Sequence, residues 1–269
     1  MKLKLLVIVS LFPLLCHGQA VKYFRQMSDR VNITLSEGTL TINPLTGNAV
    51  RIKFYKKTEG NLPEFVFTSK VEHPGFQVFD SPSKLEIKAK NIIVSLDKQT
   101  GKLSFADNAG KVFLSEKAGA RKLTPDSTQG EPCFFVEQSF ESPADESIFG
   151  LGQFQDGQYN LKSVARRLTQ VNTQIAIPFI YSSKGYGLLW HQYGLTDFNP
   201  ADNFIALEKQ EQSNAGNNQT AEVTTTSGTQ KISQHQSLYQ GKFYVSENGI
   251  YSIFLDLGDM GNRQYVVID

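Results

Sequence analysis

Apolar and polar side chains alternate along short runs of this chain, and each run ends in a turn-forming cluster. That grammar is the tightest constraint on the fold. VNITLS sets Val31, Ile33 and Leu35 against Asn32, Thr34 and Ser36, the pattern of a strand with one face buried. Glu37-Gly38 turns it into TLTI, and Asn43-Pro44 with Thr46-Gly47-Asn48 are expected to break that strand before AVRIKFY. The pattern recurs in KLEIKA, NIIVSL, KLSF and KVFLSE. Turns fall at DKQTG and DNAG, whose residues tolerate positive φ or bond their own backbone. No stretch carries the apolar period of an amphipathic helix. The expected fold class is all-β: an antiparallel β-sandwich followed by a partial second β-rich domain.

A length of 269 residues accommodates one large all-β domain or two smaller ones. Hydrophobic residues make up 40% and charged residues 20%, a globular balance that excludes wholesale disorder. The net charge is +1 with Lys and Arg dispersed, so the basic footprint of a nucleic-acid partner is missing. A neutral ligand recognised by hydrogen bonding suits this charge better.

The opening MKLKLLVIVSLFPLLCHGQA reads as a signal peptide over residues 1–18. Lys2 and Lys4 supply its basic end, and Leu5 to Leu15 an apolar run too short for a membrane span. Cleavage after Gly18 is expected, with a cut after Ala20 as the other position. Lipid attachment at Cys16 would want a small preceding residue, and Leu15 is large. The expected location is therefore periplasmic or extracellular. Cleavage leaves Cys133 alone, and its neighbours Phe134, Phe135 and Val136 suggest a buried small hydrophobe. His73, His191 and His235 are scattered without ligand spacing, so no metal or other cofactor is expected.

Further along, AIPFIYSS, the turn SKGYG and LLW read as a hairpin that leaves Trp190 near its end, as core or interface packing before a sugar platform. Residues 210–229 are dominated by Gln, Asn, Ser, Thr and Gly, and the first part of this stretch reads as a linker or exposed loop. A boundary near Ser213 divides a domain at 19–212 from a β-rich segment at 213–269. The last residues, QYVVID, read as a strand with no partner after it, so the chain is expected to be truncated inside that second domain.

One segment breaks the alternation. FGLGQFQDGQYNLK, from Phe149 to Lys162, carries three glycines, side-chain amides, aromatics and one acid. Glycines let backbone approach a ligand closely, and amides such as Gln153, Gln155 and Asn160 both donate and accept hydrogen bonds to hydroxyls. Phe154 and Tyr159 could cover the apolar face of a sugar ring. The same residues also fit a plain strand exit, with the amides bonded to nearby backbone.

Several phrases in order resemble the N-terminal domain of glycoside hydrolase family 31, nearest its bacterial α-xylosidase branch. They are Phe149-Gly150-Leu151-Gly152 with its Gln-rich loop, Asn172 before Ile177-Pro178-Phe179, and Gly185-Tyr186-Gly187 before Leu188-Leu189-Trp190. The resemblance implies a galactose-mutarotase-like sandwich packed on a catalytic (β/α)₈ barrel, and a PA14-like or carbohydrate-binding insert after Ser213. It implies α-glycoside hydrolysis by the parent enzyme, α-xylosidase or α-glucosidase in type, with carbohydrate as partner. Gln155 and Asp156 are the leading substrate contacts by this resemblance, followed by Phe154, Gln158 and Tyr159.

Retaining hydrolysis needs two carboxyl groups about 5–5.5 Å apart. Asp156, Asp197 and Asp202 are the acids near the loop, and nothing in the sequence opposes one to another. Asp259-Met260 lies in LDLGDMGN, which lacks the rest of the family's nucleophile phrase. The chain is accordingly expected to lack catalytic residues and the barrel. The alternative is a free-standing secreted carbohydrate-binding protein. A mutarotase-type epimerase ranks last, since no positioned His–carboxylate pair is visible.

Overall fold

The computed structural model describes residues 19–60, 63–66, 73–200, 205, 207–210, 213–214, 220–225, 228–233 and 237–245. The signal peptide, Asp202, Asp259-Met260 and the closing QYVVID lie outside them. The boundary expected at Ser213 borders residues outside them too. Among the described residues there is no helix, hence none long and apolar enough to cross a membrane.

Two compact units divide the chain, one within Met1–Ile148 and Ile180–His191, the other within Phe149–Phe179 and Gln192–Asp269. The first is a sandwich of two antiparallel sheets. One has the order β1 (Val21–Gln26), β2 (Val31–Leu35), β3 (Gly38–Thr46), β4 (Ala49–Tyr55). The other runs β10 (Glu131–Phe140), β9 (Val112–Thr128), β8 (Leu103–Ala106), β7 (Ile93–Asp97), β6 (Lys84–Lys88), β5 (Gln77–Asp80).

The alternation read from sequence becomes the core. Val31 faces Ile42 and Ile33 faces Leu40 in the first sheet. Leu85 faces Leu96 and Ile87 faces Val94 in the second, with Leu103 and Phe105 on the next strand. These residues form one buried cluster, most of them no more than 1% exposed. Because the side-chain period is two, a one-residue slip would turn this whole set to water, so the pattern fixes the register.

Two expectations are corrected in this unit. Asn43-Pro44 does not end a strand: β3 continues through it, with Asn43 opposite Arg51 and Pro44 opposite Val50 before an irregularity. β2 ends its pairing at Ile42, so Pro44 lies where the strand has a neighbour on one side only, and a missing N–H is tolerated there. Cys133 is half-buried rather than buried, and Phe134, Phe135 and Val136 beside it are all exposed. The cause is the long β9–β10 ribbon, whose outer part extends past the core.

In the second unit β11 (Ile148–Gln153) lies beside β13 (Ile175–Ser182), and β12 (Arg166–Leu168) pairs with β15 (Thr196–Phe198). The end of β13 joins β14 (Gly187–Leu189) in the first unit. Short strands follow: β16 (Glu208–Lys209) pairs with β20 (Tyr239–Gln240), and β17 (Ser213–Asn214), β18 (Thr220–Thr225) and β19 (Gly228–Ser233) form a small sheet. Within the polar stretch at 210–229, whose first part is expected as a linker or exposed loop, Ser213–Asn214 is strand.

Candidate functional site

The glycine phrase is a forced bend. Gly150, Leu151 and Gly152 have φ of +116°, +62° and +97°, a run of left-handed backbone inside β11. A Cβ on Gly152 would stand 2.1 Å from the Ile175 carbonyl oxygen, so the approach of β13 requires glycine there. Leu151 adopts a conformation that disfavours a side chain, and its burial to 2% exposure offsets that cost. Ten residues on, Leu161 is 1% exposed and fastens the other end of the loop.

Between these anchors the loop is organised by Arg166. This side chain, 6% exposed, forms an ion pair from Nη2 to Asp156 Oδ2. Its guanidinium also lies 4.3 Å from the centroid of the Phe154 ring, a cation–π contact. Asp156 Oδ1 accepts the Gln158 backbone N–H at 3.0 Å, closing an Asx turn. Both Asp156 oxygens are thus engaged in holding the loop.

Gln155, Asp156, Gln158 and Tyr159 are exposed, and Phe154 is half-buried beneath the arginine. The Tyr159 ring, 78% exposed, tilts against Phe149 at a centroid distance of 5.0 Å. The structure therefore gathers all five expected contact residues on one braced loop and gives Asp156 and Phe154 a holding role.

Arg166 is not among the residues that the sequence singles out. The dipeptide Arg166-Arg167 at a strand start was the available clue: period-two alternation sends one guanidinium inward and the other outward. Arg167 binds Asp197 through two bonds, Nε to Oδ1 at 2.8 Å and Nη2 to Oδ2 at 2.9 Å. That hydrogen bonding holds the Asp197 carboxyl below the ordinary aspartate range. Asp156 and Asp197 are each matched by an arginine, and the surface they leave is one of neutral amides and aromatic rings. Such a surface recognises hydroxyl groups and apolar ring faces.

The Gly185-Tyr186-Gly187 phrase serves the sandwich. Tyr186 Oη donates to Glu146 at 2.8 Å, alongside Ser182 Oγ at 2.5 Å and Ser142 Oγ at 2.9 Å. Burial, then the Glu146 carboxylate, pushes the Tyr186 hydroxyl above the ordinary tyrosine range. Its ring stacks on Phe113 at 5.9 Å. Trp190 is half-buried. His191 is satisfied: Arg51 Nη2 meets its Nδ1 at 2.7 Å and Glu64 its Nε2 at 3.2 Å, as suits an imidazole carrying its proton on Nε2.

Residues 39–199 match the model of the glycosyl hydrolase 31 N-terminal galactose mutarotase-like domain. The chain belongs to glycoside hydrolase family 31. It is 31% identical over 166 residues to an alpha-xylosidase of Saccharolobus solfataricus, covering 56% of this chain and 22% of that protein. The solved family 31 alpha-xylosidase from Xanthomonas citri superposes with a TM-score of 0.62 at 28% identity, over 69% of this chain and 20% of the other. A family 31 alpha-xylosidase from a soil metagenome, solved with xylose, gives a TM-score of 0.54 at 30% identity, over 65% of this chain and 29% of the other. The chain thus spans between a fifth and three tenths of the length of these family 31 relatives.

Proposed function

We propose that this chain is the N-terminal, sugar-facing portion of an exported family 31 α-glycosidase of α-xylosidase type, and that residues 154–159 help to hold its substrate. The observation that carries the reading is the brace at Arg166. An ion pair and a cation–π contact fix a loop whose outward groups are Gln155, Gln158 and Tyr159. Two amides and one aromatic ring are the groups a neutral glycoside engages. α-Glucosides remain within the same reading, since both sugar types present hydroxyls and an apolar face.

In this reading the described acids near the loop supply no hydrolytic step. Asp156 and Asp197 are each held by an arginine, whereas retaining hydrolysis needs one carboxylate free to attack and a second to pass a proton. The experiment is assay of the purified chain on an aryl α-xyloside. No release of the aryl alcohol is expected; turnover abolished by Asp156→Asn would overturn the reading.

A further inference from the structure

The first described residues are built into the sandwich unit. The Gln19 N–H donates to Thr100 O at 3.0 Å, the Val21 N–H to Lys98 O at 2.8 Å, and the Ser36 N–H to Ala20 O at 2.8 Å. Gln19 Nε2 donates to Arg121 O at 3.1 Å. Opposite them, Gly101 has φ +71°, and a Cβ there would stand 2.4 Å from Gln19 O. Arg121, its side chain 7% exposed, donates from Nη2 to Gly101 O and closes the circuit. A turn, a glycine and a buried arginine are therefore all fitted to residue 19.

This notch bears on processing. A leader peptidase wants small residues one and three positions before its cut, and two bonds meet that rule. One follows Gly18, with Cys16 two residues earlier; the other follows Ala20, with Gly18 two residues earlier. The spacing rule admits both bonds, and the fold favours the first. A cut after Ala20 would discard both Gln19 donors, remove the acceptor of the Ser36 N–H and empty the space that Gly101 keeps open.

We propose that export processing hydrolyses the Gly18–Gln19 bond and that Gln19 is the seated first residue of the mature protein. This rests on the reading of the chain as exported. Water adds across the peptide bond, leaving a carboxylate on Gly18 and an ammonium on Gln19, which still offers an N–H to Thr100 O.

The test is to express the full chain with its leader in a secreting bacterial host and to determine the first residue of the exported protein by intact mass and terminal sequencing. A start at Gln19 is expected, and it supports the proposal whether the glutamine is open or has cyclised with loss of ammonia. A start at Val21, or a lipid-modified start at Cys16, would overturn it while leaving export intact. An uncut chain retained in the cytoplasm would overturn both. Chains purified with first residue Gln19 or Val21 give the second readout: a lower melting midpoint for the shorter one is expected, and equal midpoints would refute the seating.

Discussion

Arg166 and Asp156, ten residues apart in sequence, form an ion pair in which the arginine is buried and the carboxylate reaches the surface. The pair is asymmetric, and so are its consequences. Asp156→Ala leaves a guanidinium away from water, beside the Phe154 ring, without its carboxylate. A loss of about 1–2 kcal/mol in unfolding free energy is expected, below the cost of breaking a fully buried pair because solvent reaches the Asp156 side. Arg166→Ala removes the ion pair, the Phe154 ring contact and a buried stem together, so a larger loss is expected. Denaturant titration of the two variants checks the order.

Two glycines of the loop separate crowding from backbone strain. Gly152 faces the Ile175 carbonyl at a distance no side chain survives, whereas Gly157, at φ +72°, faces open space. Gly152→Ala is expected to cost on the order of 3 kcal/mol or more, combining left-handed strain with displacement of β13. Gly157→Ala is expected to cost about 1 kcal/mol from strain alone. Equal melting midpoints for the two would contradict the geometry.

The turn that receives Gln19 carries a pH signature. Asp97 Oδ1 accepts the Thr100 Oγ1 and backbone N–H at 2.7 Å each and the Gln99 N–H at 3.0 Å. Led by the Thr100 hydroxyl, these bonds hold its carboxyl below the ordinary aspartate range. The unfolded chain therefore takes up this proton first, and the stabilisation is full above the ordinary range and lost as pH falls through the folded value. Asp97→Ala is expected to be less stable than the parent near neutrality and to converge with it in acid.

Glu116 acts in the opposite sense. Burial raises its carboxyl pKa despite Arg121 alongside, so its contribution declines as the pH rises from the ordinary glutamate range through the folded value. Arg121 is shifted downward by the same burial, which outweighs the attraction between the two. In Glu116→Gln that decline is expected to vanish from the stability–pH curve; its persistence would assign it to another group.

Much of the sandwich was legible because a half-buried strand writes its burial into a two-residue period. Val31, Ile33, Leu35, Leu85, Ile87, Val94 and Leu96 occupy the core positions their spacing requires. The β9–β10 ribbon escaped because Phe134, Phe135 and Val136 lie consecutively exposed and offer no alternation to read. Pro44 misled for a different reason: whether a strand has one neighbour or two at a given residue is a property of the whole sheet. The loop announced itself by composition, but the arginine that braces it did not. A charge pair and a ring contact formed across ten residues leave no local pattern.

Contact between that braced loop and sugar is tested most directly by calorimetric titration of the chain with xyloglucan oligosaccharides. Saturable heat is expected, with affinity reduced roughly 2–10-fold in Tyr159→Ala as an aromatic contact is lost. Titrations that give no heat, or heat that Tyr159→Ala and Gln155→Ala leave unchanged, would contradict it.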